Sequence, residues 1–207
     1  CMTTPARPGV VLRSARPDVS DGIAFARLLD QAQEGWFRIA LGRRAESVVA
    51  ASFPATGHEL SHVHVLMAES DGAVIGMASG YTAEARGTFT KEPIEAAAGD
   101  GRRRYRAISR LSRRMTRFMD DIPDRDFYVR AIAVDPDYRN KGVGGLLMNR
   151  MIDNAKACGA KRLVLDVAAK NRNGRRFYER IGMTRDSESR RWFGLPNTNV
   201  IRITLPL

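Results

Sequence analysis

The stretch DYRNKGVGGLLMNRM, Asp137 to Met151, sets Arg139, Lys141 and three glycines directly before an apolar helical run. Glycine has no Cβ, so backbone N–H groups can crowd around a ligand at such a bend. The first turn of the helix adds free N–H donors and the positive end of its dipole. The two basic side chains match a negatively charged guest. Together these features describe an anion cradle, and the anion they suit is a phosphate.

Upstream of the cradle, DFYVRAIAV reads as a buried strand, Phe127 to Val134, stopped by Asp135-Pro136. Downstream, the helix ends at Cys158-Gly159, where glycine suits the position just past a helix terminus. KRLVLDVAA is the next strand, NGRRFYERIG a short helix closed by Gly182, and MTRDSESRRW and NVIRITLPL two final strands. Nearer the start, GVVLRSARP opens with a strand at Val10 to Arg13, and DVSDGIAFARLLDQAQ offers N-caps followed by a helix. GWFRIALG and RRAESVVAASF are further helical pieces. HVHVLMAESDGAVIGMASGYTAEA is a hairpin turning at Asp71-Gly72, with His62 and His64 on one strand face and Glu84 near the second strand's end. The mixed order of strands and helices predicts one α/β or α+β sheet domain over residues 1–207.

The chain has 207 residues, of which 43% are hydrophobic, enough for one substantial core. No apolar run reaches the ~18 residues of a membrane span. Residues 1–11 carry no apolar signal-peptide core, and only two cysteines are present, so a reducing cytoplasm is expected. Cys158 reads as a small buried side chain. The net charge of +11 concentrates in RRRYRAISRLSRRMTR, with eight arginines and no acid. Such a run can serve an acidic partner such as nucleic acid. However, Tyr105, Ile108, Leu111, Met115 and Phe118 recur at helical spacing, which predicts a packed amphipathic helix with a solvated arginine face. Its apolar stripe also suits a second copy of the chain. His58, His62 and His64 lack the cysteine or carboxylate company of a metal site, so no metal is expected.

Three phosphate loops compete for the cradle. No Gly-x-x-x-x-Gly-Lys-Ser/Thr string exists. A dinucleotide fingerprint would use Gly142, Gly144 and Asp166, but Leu147 occupies its third glycine position. Seven residues, Asp135 to Lys141, also part the strand from the glycines. The third pattern fits. Arg139-Asn140-Lys141-Gly142-Val143-Gly144 resembles the acyl-coenzyme A loop, Arg/Gln-x-x-Gly-x-Gly/Ala, of the GNAT superfamily of N-acetyltransferases. A second element, NRNGRRFYERIGM at 171–183, resembles that family's Asn-x-x-Ala-x-x-Phe/Leu-Tyr-x-x-x-Gly-Phe, with Gly174 and Met183 in place of Ala and Phe.

The resemblance implies a single mixed, mostly antiparallel sheet flanked by helices, with the arginine-rich segment as a helical insert, about 86–122, between the third and fourth strands. It implies acetyl-coenzyme A as co-substrate and a primary amine of a small molecule or peptide as acceptor. Backbone N–H groups of Arg139, Asn140, Lys141, Gly142, Val143, Gly144 and Gly145 are expected to hold the pyrophosphate. Ile132, Ala133 and Val134 are expected to pair with the pantetheine arm through their backbone, and Asn171 through its side chain. Tyr178 is expected to face the thioester sulfur and assist its departure. Arg175 and Arg176 are candidates for the terminal phosphate. The family's strand glutamate is missing, since Arg130 stands in a strand with no acid between Phe127 and Val134. Glu84 and Asp126 are the candidates for a base, with none preferred. The second reading, from a different class, is an acyl-coenzyme A sensor or nucleic-acid-binding regulator that uses the arginine helix.

Overall fold

The Asp71-Gly72 pair adopts φ angles of 51° and 77°, both left-handed, which closes a tight hairpin as expected. It joins strand β2 (Val65–Ser70) to β3 (Ala73–Thr82). The computed structural model describes residues 9–33, 35–190 and 199–207, without the side chains of 114–116. The Met115 side chain, Trp192 and the loop 193–198 therefore lie outside what is described. Around the hairpin stand β1 (Val11–Ser14), β4 (Asp126–Val134), β5 (Arg162–Ala168), β6 (Thr184–Glu188) and β7 (Val200–Pro206). They form a seven-stranded sheet in the order β1-β2-β3-β4-β5-β7-β6. Every neighbouring pair is antiparallel except β4 with β5. The mixed, mostly antiparallel sheet matches the expected architecture.

Helices cover both faces. Helix α1 (Val19–Ala32) starts on Asp18, whose carboxylate accepts the Asp21 N–H at 2.8 Å. With α2 (Trp36–Leu41) and α3 (Ala45–Ser52) it buries Phe25, Leu28, Val48 and Phe37 against Met67, Met77, Ala131 and Ala133. Phe37 is buried in this core, and the partly buried Trp36 meets it edge to face at 4.9 Å. On the other face, α7 (Val143–Ala157) buries Val143, Leu147, Met148 and Met151 against Leu66, Ile75, Ala78 and Val129. Helix α8 (Arg172–Arg180) follows β5, and Gly182 past its end takes φ 92°. No helix among the described residues is long and apolar enough to cross a membrane.

The insert between β3 and β4 is helical, as expected: α4 (Ala83–Gly87), α5 (Glu92–Ala98) and α6 (Arg102–Asp120). Tyr105 of α6 is buried and Ile108 packs on the core beside it. Leu111 departs from the expected apolar side and stands 65% exposed. Arg106 pairs with Glu95 at 2.5 Å and Arg104 donates to the Ile39 carbonyl at 3.0 Å. The far end of α6 is tied to the sheet. Arg202 donates to the carbonyls of Phe118 and Asp121, at 2.7 and 2.5 Å, and to Asp166 at 2.9 Å. Asp166 is therefore a structural anchor, with Tyr128 also donating to it at 3.2 Å, and is not free to bind a ribose.

Three local expectations are corrected. His62–His64 form a 3-10 turn before β2, because the Ser61 hydroxyl takes the Val63 N–H and starts a turn there, so the two histidines do not share a strand face. Glu84 lies in the first turn of α4, capped by the Thr82 hydroxyl, and is exposed. Cys158 is exposed, since α7 ends at the surface.

Candidate active site

The strands β4 and β5 pair only at Asp126–Tyr128 with Arg162–Val164. Beyond Tyr128 they part. One cause is visible in β4, where the register with β3 slips between Ser79 and Gly80 and leaves Arg130 as an extra residue. A β-bulge of this kind bends its strand and increases the local twist. Glycine is required opposite it, because a Cβ on Gly80 would come within 2.6 Å of the Phe127 ring and 3.0 Å of the Tyr128 carbonyl.

The parted segment leaves one edge of β4 open. Antiparallel pairing directs alternate residues toward the partner. Asp135 donates its N–H to Ile75 at 2.8 Å, and in this register Ala133 and Ala131 face β3 in the same way. The peptide groups of Ile132 and Val134 therefore point to the opening, while that of Ala133 is used by the sheet. Of the three expected pantetheine partners, the geometry thus offers two. The Val134 carbonyl accepts from Arg139 Nε at 2.9 Å, so its N–H is the group left to a ligand.

The cradle stands at the end of the same strand. Asn140 and Gly142 take left-handed φ angles of 58° and 83°, and α7 begins directly after them. Arg139 spends its N–H on the Pro136 carbonyl at 3.3 Å. For Asn140, Lys141, Gly142, Val143, Gly144 and Gly145, no N–H finds a protein acceptor among the described residues. Lys141 Nζ donates to the Asp137 carbonyl at 2.6 Å and lies over the Tyr138 ring. Gly144 lets α8 approach, since a Cβ there would stand 3.3 Å from Phe177. Arg172, Arg175 and Arg176, with Glu179, line an open cavity of about 390 Å³ on the same helix as Phe177.

Tyr178 is buried in the cluster that holds Val129 of β4 and Leu165 and Val167 of β5, the residues just past the point of separation. Burial alone pushes its hydroxyl pKa well above the usual tyrosine value. Among the described residues no protein group hydrogen-bonds that hydroxyl. Asn171 is occupied differently from expectation: its Oδ1 accepts the Gly174 N–H at 2.8 Å and caps α8. A Cβ at residue 174 would meet the Asn171 amide at 2.8 Å, which accounts for glycine at that position.

The candidate bases are not equivalent. Asp126 is 2% exposed and bound by Arg162 at 2.7 and 3.1 Å, at the closed end of the strands. Glu84 stands on α4, exposed. The acid that does reach the bulge was not singled out in the sequence: Glu59 Oε2 lies 3.0 Å from Arg130 Nε. Nothing local marks it, because 71 positions separate the pair. Around them stand Tyr81, Tyr128, Phe89 and His64, ring to ring at 4.9 to 5.8 Å. Burial lowers the His64 pKa to about 4. His58 is fully buried and its Nε2 lies between the carbonyls of Ser52 and Ala55, a core role.

A parallel pair parts beside a row of unpartnered N–H groups, with a tyrosine at the fork. The chain belongs to the acetyltransferase (GNAT) family, whose model matches residues 27–183. Among curated proteins it is 36% identical over 62 residues to the [ribosomal protein bS18]-alanine N-acetyltransferase of Escherichia coli K12, covering 30% of this chain and 42% of that one. It is 34% identical over 64 residues to an uncharacterized N-acetyltransferase of Methanocaldococcus jannaschii, covering 31% of this chain and 28% of that one. The chain thus matches less than half the length of these two relatives. A crystal structure of an acetyltransferase, 21% identical, superposes with a TM-score of 0.67 over 95% of this chain and 98% of the other, which shows the fold.

Proposed function

We propose that the protein transfers an acetyl group from acetyl-coenzyme A to a primary amine of a small molecule or peptide. The observation that carries this reading is the open edge of β4 running into the row of unpartnered N–H groups at Asn140–Gly145. A diphosphate suits such a row at a helix N-terminus, and an extended amide-bearing arm suits the free strand edge. The residues present therefore fit coenzyme A. When bound there, it supplies an acyl group activated as a thioester.

The chain's own groups divide the remaining work. Asn140–Gly145 hold the diphosphate, Ile132 and Val134 align the arm, and Arg172, Arg175 and Arg176 are placed for a terminal phosphate. Asn171, with Oδ1 engaged, keeps its Nδ2 as a donor. Tyr178 stands for the departing sulfur. Full proton transfer from a tyrosine to a thiolate is already uphill by about 2 kcal/mol from reference values. Burial of Tyr178 raises that further, so it acts chiefly as a hydrogen-bond donor.

The test is a panel of n-alkylamines and an Ala-Gly-Gly peptide, followed by thiol release from acetyl-coenzyme A. Turnover of at least one amine, with calorimetric binding of acetyl-coenzyme A, is expected. Binding without turnover of any amine contradicts acyl transfer, and absence of binding contradicts the site.

A further inference from the structure

We propose that Glu59 is the proton acceptor for the amine, resting on the acetyl-transfer reading above. An ammonium group must lose a proton before its nitrogen can attack, and β4 carries no acid between Phe127 and Val134 to take it. The fold replaces it from outside. The segment between α3 and β2 carries Glu59 to β4 at Arg130, the bulged residue next to the point where β4 leaves β5.

The details favour a working carboxylate over a purely structural ion pair. Glu59 and Arg130 approach to 3.0 Å, yet the Arg130 Nε–H is not aimed at the oxygen and makes no hydrogen bond. With its amide oxygen turned inward, Gln33 accepts from the Nη groups instead. The Glu59 lone pairs therefore stay available while the guanidinium keeps the carboxylate at the bulge. The Glu59 side chain is 32% exposed and that of Arg130 only 15%, so the acid is the more solvent-accessible member of the pair.

Other acids of the region are committed elsewhere. Asp126 is held by Arg162, Asp166 by Arg202 and Asp120 by Arg86. The groups that bear on Glu59 are Arg130 of β4, Tyr81 of β3, Tyr105 of α6, Arg86 of α4 and His58 of its own segment. The partly exposed rings of Phe89 and His64, packed on the buried Tyr81, stand beside them and give an alkylammonium aromatic faces to approach.

The step balances simply. The ammonium proton passes to the Glu59 carboxylate, and the freed nitrogen lone pair attacks the thioester carbonyl carbon. The C–N bond forms and the C–S bond breaks. The sulfur leaves with the bonding pair, stabilised by Tyr178, and is protonated to the free thiol. The second nitrogen proton and the one on Glu59 are returned to solvent, for a net release of one proton.

The experiment compares Glu59→Gln, Glu59→Asp and the double variant Glu59→Gln/Arg130→Gln with the unmodified protein. It uses the best n-alkylamine of the panel and the Ala-Gly-Gly peptide. The double variant removes both charges, so it covers the case in which Glu59→Gln alone leaves a buried guanidinium and fails to fold. Loss of roughly 10²-fold in kcat is expected for the glutamine variants, with acetyl-coenzyme A affinity within about threefold. With the alkylamine their rate should climb close to tenfold per pH unit from pH ~7 to ~9, because deprotonation now occurs in solvent, whereas with the peptide the rise should level off above pH ~8. The penalty should be larger for the alkylamine, of pKa about 10.4, than for the peptide α-amine, of about 7.7–8.0. Glu59→Asp should recover part of the rate and the shallower pH dependence. Activity within about threefold of the parent, a pH profile parallel to the parent's, or loss of acetyl-coenzyme A binding in both glutamine variants would each overturn the assignment. If the unmodified protein acetylates no amine, the acyl-transfer reading itself fails.

Discussion

The two ends of the β4–β5 pair are built on opposite rules. Up to the fork, polar groups are matched: Asp126 with Arg162 at the closed end, and Asp166, just past the last paired residue of β5, with both Arg202 and Tyr128. At the open end, the peptide groups of Ile132 and Val134 and six successive N–H groups from Asn140 face outward without protein acceptors. The N–H groups that open a helix have no intrahelical partner, and a row of them running on from a free strand edge is the feature on which the proposed coenzyme A site rests. The contrast teaches where stability and function reside in this sheet. Charge pairs fasten the strands together at one end, and a bulge with its glycine forces them apart at the other.

Four substitutions or conditions test this division. The largest expected effect is on catalysis: Tyr178→Phe should lower kcat by about 10²–10⁴-fold while acetyl-coenzyme A affinity stays within about threefold. Turnover measured beside calorimetry checks it, and near-parental kcat would remove Tyr178 from the mechanism. At the fork, Arg202→Met strands the Asp166 carboxylate, which is fully buried in the native protein. It should cost about 3–5 kcal/mol in denaturant unfolding. The folded fraction should bind acetyl-coenzyme A as before, since the open end is untouched. Gly142→Ala acts on the open end, where φ is 83°. A side chain in that region costs roughly 1–2 kcal/mol, and acetyl-coenzyme A binding should weaken together with stability.

The smallest effect extends the comparison to the acceptor side. Burial lowers the pKa values of both His58 and His64, the latter to about 4. The unfolded chain then binds more protons than the folded one between pH about 6.5 and 4, so stability should fall as pH drops through that window. His64→Phe should make the decline shallower in unfolding curves recorded across those pH values. An unchanged slope would mean that His64 is not held neutral by its neighbours.

Local chemistry made much of this legible. The Asp71-Gly72 turn, the helix ends at Gly159 and Gly182, and the glycine bend before α7 each need a backbone that the sequence announces within a few residues. What stayed hidden depends on distant partners. The bulge at Arg130 arises from pairing with Gly80, and Glu59 meets it only after the sheet has formed. Likewise, Arg202 anchors the insert by bonding Phe118 and Asp121, more than 80 positions away. Asn171 carries a local duty that the resemblance did not announce, since an Asn ahead of a helix is a strong N-cap and its Oδ1 takes the Gly174 N–H. The 3-10 turn at His62–His64 is a similar case, with alternating residues that read as strand until Ser61 captured the Val63 N–H.

The central claim is that acetyl-coenzyme A lies along the open edge of β4 and ends in the glycine bend. Residue-resolved amide hydrogen exchange, with and without coenzyme A, tests it most directly. Protection should rise at Ile132, Val134 and across Asn140–Gly145, and remain level at Ala133, whose N–H already serves β3. Unchanged exchange at Ile132, Val134 and the bend in the presence of saturating coenzyme A would contradict the account.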